Sequence, residues 1–202
     1  PKDWVDNFNI FLQGITVMSH QVKKIMIDNG VRVPIRVSGL GVDHLTKVKA
    51  APDFAIKART FKFLHISSCF PRKGIKALLD AYGKAFTIND DVSLIIKTFT
   101  NPHNQIHDFL KEHKEKNAIY PDVILIEDEY SLPEIKSLIK ISNVYVAPSH
   151  GEGFGLPIAE AMSNQIAVIT TSWGGQLDFV SEKNAWLIDF KFAYSDSHFN
   201  QF

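Results

Sequence analysis

The sequence predicts an α/β fold built on a six-stranded parallel sheet, doubly wound with helices. Three observations carry this reading. From residue 61 onward, short apolar runs alternate with stretches whose apolar residues recur at helical spacing. The short runs are mainly apolar rather than alternating, as expected for parallel strands covered on both faces. No internal repeat of roughly 20–50 residues is present, so the strand–helix units form one layered domain and not a solenoid.

The main domain opens with a strand over residues 61–66. Residues 73–86 follow as a helix with Ile75, Leu78, Leu79, Tyr82 and Phe86 on one face. A strand over 92–98 leads, behind Asn101-Pro102, to a helix over 104–114 carrying Ile106, Phe109 and Leu110. A third strand covers 123–126. Ser131-Leu132-Pro133-Glu134 is a capping box with proline in the first turn, and Ile135, Leu138 and Ile139 continue its helix. The fourth strand is 144–147, and Pro157 opens the next helix. A fifth strand over 166–170, a short helix over 176–180 and a sixth strand over 185–188 complete the set.

Residues 1–44 read differently. A strand over 14–18 precedes a helix capped by Ser19, carrying Val22, Ile25 and Met26 and ended by Asn29-Gly30. Another strand covers 35–37, and Gly39-Leu40-Gly41-Val42-Asp43 is a bend. The charged, Ala-containing residues 47–59 read as a linker or linker helix. The expected organisation is 1–44 as the tail of a preceding domain, 45–190 as the main domain and 191–202 unassigned. Because the chain starts Pro1-Lys2-Asp3-Trp4, without Met or a signal-peptide core, its start is read as an artificial boundary or that of a mid-chain fragment.

Composition excludes several functions. Lys and Arg together number 22, as do Asp and Glu, so no bulk field draws nucleic acid or an anionic membrane. One cysteine, Cys69, excludes an internal disulfide and fits a reducing compartment. No apolar run approaches the ~20 residues of a membrane span.

Ligands of such sheets sit beyond the carboxyl ends of the strands, where the winding reverses, between the first and fourth strands of order 3-2-1-4-5-6. After the first strand comes Ser67-Ser68-Cys69-Phe70-Pro71-Arg72-Lys73-Gly74. Two cations at a helix start oppose the helix dipole. A bound phosphate explains their placement, and a solvated basic turn is the plain alternative. After the fourth strand comes Pro148-Ser149-His150-Gly151-Glu152-Gly153-Phe154-Gly155-Leu156-Pro157. Glycines at alternate positions let backbone amides crowd a ligand, and Pro157 points a helix start at the same place. A nicotinamide site is disfavoured, because Leu156 replaces the third glycine of the fingerprint and Thr170, Thr171 and Ser172 stand where an acid belongs. The phosphate-loop signature of NTPases is absent. Two carboxylates remain. Glu152 faces a ligand from the loop, and Glu160, in the first turn or so of the helix, can accept hydrogen bonds from ribose hydroxyls or simply suit a helix N-terminus.

The run Glu152-Gly153-Phe154-Gly155-Leu156-Pro157-Ile158-Ala159-Glu160 resembles the paired-glutamate signature of retaining glycosyltransferase family 4, of GT-B fold. Pro71-Arg72-Lys73-Gly74 resembles that family's diphosphate-binding turn, Gly41-Val42-Asp43 its interdomain hinge, and Gly174-Gly175 its loop after the fifth strand. The resemblance implies that 45–190 is the C-terminal, Rossmann-like half of the fold and binds a nucleotide-sugar donor such as a UDP- or GDP-sugar. Arg72 and Lys73, with the amides of Gly153, Phe154, Gly155 and Leu156, would hold the diphosphate. Glu152 would bind donor-sugar hydroxyls, and Glu160 the ribose. No metal or other cofactor is implied. Transfer would retain configuration, to a glycan, lipid or other acceptor held by an N-terminal domain outside this chain, so the chain alone is expected to be inactive. The expected location is the cytoplasm, at the inner membrane face if the acceptor is a lipid. Ser67 and Ser68 depart from the family, standing where many members carry an Arg. Ser67 nevertheless joins the candidate nucleotide-binding residues, as does Tyr130, which reads equally as a nucleobase platform or a surface aromatic.

Other constellations are weaker. His103 and His107, four apart, with His113 near, have metal-ligand spacing but read as a solvated helix face. Cys69 lacks a nucleophile's partners and reads as packing. The second functional reading is a non-catalytic nucleotide-binding module on the same fold.

Overall fold

A computed structural model describes residues 2–193. The elements are α1 (Lys2–Phe11), β1 (Ile15–Val17), α2 (His20–Asp28), β2 (Ile35–Val37), α3 (Asp43–Thr46), β3 (Phe61–Ile66), α4 (Ile75–Ala85), β4 (Val92–Lys97), α5 (Ile106–Lys116), β5 (Asp122–Ile126), α6 (Leu132–Ile141), β6 (Val144–Ala147), α7 (Leu156–Ser163), β7 (Ala167–Thr171) and β8 (Trp186–Ile188). Short 3₁₀ turns cover Pro71–Lys73 and Gly175–Asp178.

Six strands form one parallel sheet in the order β5-β4-β3-β6-β7-β8, the doubly wound order expected from the sequence. Its two faces are filled by alternate residues, as the strand period of two dictates. Leu64, Ile95 and Val168 pack on one face against Leu138 and Ile139 of α6 and Ile158 and Ala161 of α7. Leu94, Ile96 and Val146 pack on the other against Ile75, Leu78, Leu79 and Tyr82 of α4 and Ile106 and Leu110 of α5. The chain crosses between the halves of the sheet where β3 pairs β6, at Phe63↔Val144 and Leu64↔Tyr145. The loops leaving the carboxyl ends of these two strands are therefore neighbours. β1 and β2 form a separate two-stranded parallel sheet.

Several expectations need correction. Residues 47–59 contain no helix. Pro52 disfavours helix before it, and Asp53 is left-handed at φ 56°. The segment instead lies along α6, where Ala51 donates to Pro133 O and Ser137 Oγ, and Phe54 and Ile56 cover the core. The buried Lys136 ammonium donates to the Leu45 and Thr46 carbonyls at the end of α3. The expected helix over 73–86 is divided at Gly74, which is left-handed at φ 71°. The expected helix over 176–180 is only the 3₁₀ turn Gly175–Asp178. The helix α1 went unassigned in the sequence because no cap marks its start, although Trp4, Phe8 and Phe11 share helical spacing. The unassigned segment 191–202 lies largely outside the described residues. Among the described residues no helix is long and apolar enough to cross a membrane.

Candidate functional site

The first half of the site is the loop after β3. His65 is buried near the end of that strand. Its Nδ1 lies 2.7 Å from the Val146 carbonyl, which can only accept, so Nδ1 carries the proton. Nε2 then accepts from the Ser67 hydroxyl at 2.7 Å. Burial, opposed by the Val146 bond and assisted by the Lys73 charge, lowers the imidazole pKa to about 4, so the ring is neutral at physiological pH. Ser67 Oγ accepts the Cys69 N–H at 3.0 Å, closing a bend in which Cys69 is left-handed at φ 52°. Cys69 is buried in the core, which pushes its thiol pKa up, and a packing role follows. The bend delivers Pro71–Lys73 to the loop after β6. There the two backbones touch: His150 N donates to Arg72 O at 2.7 Å, and a Cβ on Gly74 would collide with Pro148 O.

The second half is the glycine loop. Arg72 donates to Gly151 O at 3.0 Å and lies 3.8 Å from Glu152. Lys73 Nζ binds Glu152 Oε1 at 2.5 Å, and Ser149 Oγ donates to the same oxygen at 2.8 Å. Both ion-pair partners are largely buried, with Lys73 14% and Glu152 11% exposed. The expected diphosphate ligand and the expected sugar ligand are thus paired with each other. The ammonium keeps further donors and the carboxylate its second oxygen. Gly155 starts α7 in the left-handed region at φ 85°. Among the described residues, none of the amides of 153–156 donates to a protein acceptor. Consecutive unpaired amides at a helix N-terminus attract anions. The Phe154 ring packs on Phe179, with ring centres 5.0 Å apart. His65, Ser67, Lys73, Ser149, Glu152 and Gly155 line a common recess. A larger cavity against α1, bounded by Lys2, Asp6, Asn9, Asn29 and Arg32, shares no residue with it.

Two expected residues make other contacts in this structure. Glu160 is the fifth residue of the eight-residue α7, past the first turn, so the N-terminal dipole does not explain it. Its Oε1 meets His44 Nε2 of α3 at 2.7 Å. Tyr130 is not brought into the cluster: it packs edge-on to Phe54 and beneath the Lys97 ammonium, 5.5 Å from its ring centre. The histidines diverge. His107 pairs with Glu127, His113 with Asp80, and His103 lies edge-on to Phe70.

Sequence reasoning missed His65, Ser149, His44 and Lys97. Lys97 is the one charged residue of β4 and is buried there, which was the available signal. Its Nζ donates to Thr98 O, and burial lowers its pKa against the pull of Asp128, Glu127 and Glu129.

Residues 48–196 match the family of glycosyl transferases group 1. Among curated proteins, the lipopolysaccharide core biosynthesis mannosyltransferase LpcC of Rhizobium leguminosarum bv. viciae is 26% identical over 156 residues, 74% of this chain and 44% of that protein. The sucrose synthase of Melioribacter roseus is 24% identical over 120 residues, 54% of this chain and 15% of that protein. Anabaena Alr3699/HepE, solved in complex with UDP and glucose, superposes with a TM-score of 0.76 at 21% identity, covering 93% of this chain and 52% of that one. Sucrose-phosphate synthase from Thermosynechococcus elongatus gives a TM-score of 0.75 at 19% identity, covering 92% of this chain and 47% of that one. The chain spans less than half the length of both curated relatives and about half of both solved chains.

Proposed function

The chain belongs to the glycosyl transferases group 1, and from this we propose that it is the donor-binding half of a retaining glycosyltransferase, of family 4 and GT-B fold. The observation that carries the reading is that Arg72 and Lys73 bond to Gly151 and Glu152 of the glycine loop, whose next amides, those of 153–156, are unpaired, at the sheet's switch point. A nucleotide-sugar diphosphate supplies the kind of anion that these cations and amides attract. Lys73, Arg72 and the amides stabilise the negative charge that develops on the leaving diphosphate, the kind of electrostatic contribution that dominates many active sites. Glu152, held by Lys73 and Ser149, offers its second oxygen to the donor sugar's hydroxyls, and Glu160 accepts from the ribose. With two cations and a helix start facing the diphosphate, the reaction needs no divalent metal. The acceptor, a glycan or lipid, is held by a domain outside these residues, so donor binding without transfer is the expected behaviour of residues 1–202.

The test is a calorimetric screen of UDP-, GDP- and ADP-sugars against their free diphosphates, with a radiolabelled transfer assay beside it. Micromolar-to-millimolar binding that senses the sugar, loses that sense in Glu152→Ala and produces at most slow hydrolysis is expected. Efficient transfer by residues 1–202 overturns the half-site reading. Binding indifferent to the sugar favours a plain nucleotide-binding module.

A further inference from the structure

Ser19 lies outside the 45–190 domain yet reaches its glycine loop. The residue is fully buried at the start of α2. Its Oγ accepts the Val22 N–H at 3.2 Å, the N-cap bond of that helix. The same hydroxyl donates to the Gly153 carbonyl at 2.6 Å, across 134 positions of sequence. The approach is close on every side. A Cβ on Gly153 would meet Met18 Sδ at 2.9 Å, and one on Gly175 would collide with Gly153 O and meet Ser19 Oγ at 2.7 Å. His20 secures the next position, its backbone N–H donating to Asp178 at 2.9 Å and its ring lying 3.0 Å from the same oxygen.

This contact fixes a direction. In a trans peptide the carbonyl and the following N–H point oppositely, and the described residues contain no cis peptide. With the Gly153 carbonyl held on Ser19, the Phe154 N–H points away from α2. The neighbouring peptide is held in the same manner, because Gly175 N donates to Glu152 O at 2.8 Å and so turns the Gly153 N–H the other way. Two consecutive amides thus stand unpaired and aimed by bonds made behind them.

We propose that Ser19 is a positioning residue for the donor diphosphate: its hydroxyl orients the glycine-loop amides that receive the anion. The assignment rests on the donor-site reading above and deepens it, because it gives residues outside the 45–190 domain a part in donor affinity. It also separates two roles of one hydroxyl, as helix cap and as loop anchor. Glycine is a nearly equivalent N-cap, so Ser19→Gly keeps α2 while removing the donor to Gly153 O. Ser19→Thr retains both.

The experiment measures, for the 202-residue chain and both variants, the affinities for UDP, GDP, ADP and inorganic pyrophosphate together with the thermal midpoint. Ser19→Gly is expected to weaken the preferred nucleoside diphosphate and pyrophosphate about three- to tenfold, the worth of one hydrogen bond, with the midpoint lowered by only the few degrees that one unmade buried hydrogen bond costs, and Ser19→Thr restoring wild-type affinity. Wild-type affinity in Ser19→Gly overturns the proposal and leaves the donor-site reading standing. A wild-type chain that binds none of the four probes overturns both.

Discussion

The two loops that meet at the switch point are built in opposite ways. The loop after β3 is closed on itself by side chains: His65 accepts from the Ser67 hydroxyl, Ser67 accepts from the Cys69 amide, and Asn101 donates to Ser68 O. The loop after β6 has its carbonyls held, by Ser19 on Gly153 O, Gly175 on Glu152 O and Arg72 on Gly151 O, and leaves the amides of 153–156 open. The first loop thus sets two cations beside a backbone whose amides at 153–156 are unpaired. Preorganisation of this kind matters because donors already aimed at developing charge need no reorganisation during reaction.

The largest effect that should separate the loops is acid sensitivity, which belongs to the first. His65 titrates near pH 4 when folded and near its ordinary 6.5 when unfolded. Between those values the unfolded chain binds the proton and the folded one does not. Stability is therefore full above pH 6.5 and lost as pH falls toward 4, by up to about 3 kcal/mol. Urea unfolding of wild type and His65→Gln across this window should show their stability gap narrowing with acid. A constant gap would remove His65 from the account.

Next comes the cation pair. Lys73→Ala should weaken nucleoside diphosphate binding by about 1.5–3 kcal/mol, the scale of a charge-assisted hydrogen bond, with Arg72 offsetting part of the loss. Calorimetry on the Arg72/Lys73 double alanine variant should show the fuller loss, and unchanged affinity there would take both residues out of the site.

A smaller contrast lies within the glycine loop. Gly155→Ala forces alanine into φ 85° with its Cβ 3.0 Å from Ile158 and 3.2 Å from Gln176. It should cost about 1–2 kcal/mol of stability. At Gly151 an added Cβ would have nothing within 4 Å, and φ there is not positive, so Gly151→Ala should leave the thermal midpoint nearly unchanged. Equal midpoints for the two variants would contradict the description of the loop.

Much of this was legible in the sequence because it depends on local pattern. Runs such as residues 92–97 and 144–147 mark buried parallel strands, and their alternation with helices determines a small set of sheet orders. The Arg72-Lys73 turn and the glycine loop followed from that order. What stayed hidden is pairing at a distance. Nothing in the sequence links Ser19 to Gly153, His65 to Val146 or His44 to Glu160, since each contact is created by packing of elements 81 to 134 positions apart. Composition left 47–59 open between a linker and a linker helix, because helix-favouring Ala and Lys surround a proline, and tertiary contacts to α6 decided the conformation.

The smallest expected effect distinguishes the two glutamates. Glu160→Gln should reduce the preference for a ribonucleoside diphosphate over its 2′-deoxy form by about three- to tenfold, one hydrogen bond's worth, while leaving the response to the donor sugar intact. Competition binding with the paired nucleotides measures it, and an unaltered preference would assign Glu160 to His44 alone.

The central claim is that an anion bridges the two loops, and a crystal structure of residues 1–202 with a nucleoside diphosphate tests it most directly. The account predicts phosphate oxygens within hydrogen-bond distance of Lys73 Nζ and of at least two amides of residues 153–156. A diphosphate bound instead in the cavity of Lys2, Asn9 and Arg32 against α1, with the switch-point loops untouched, would contradict it.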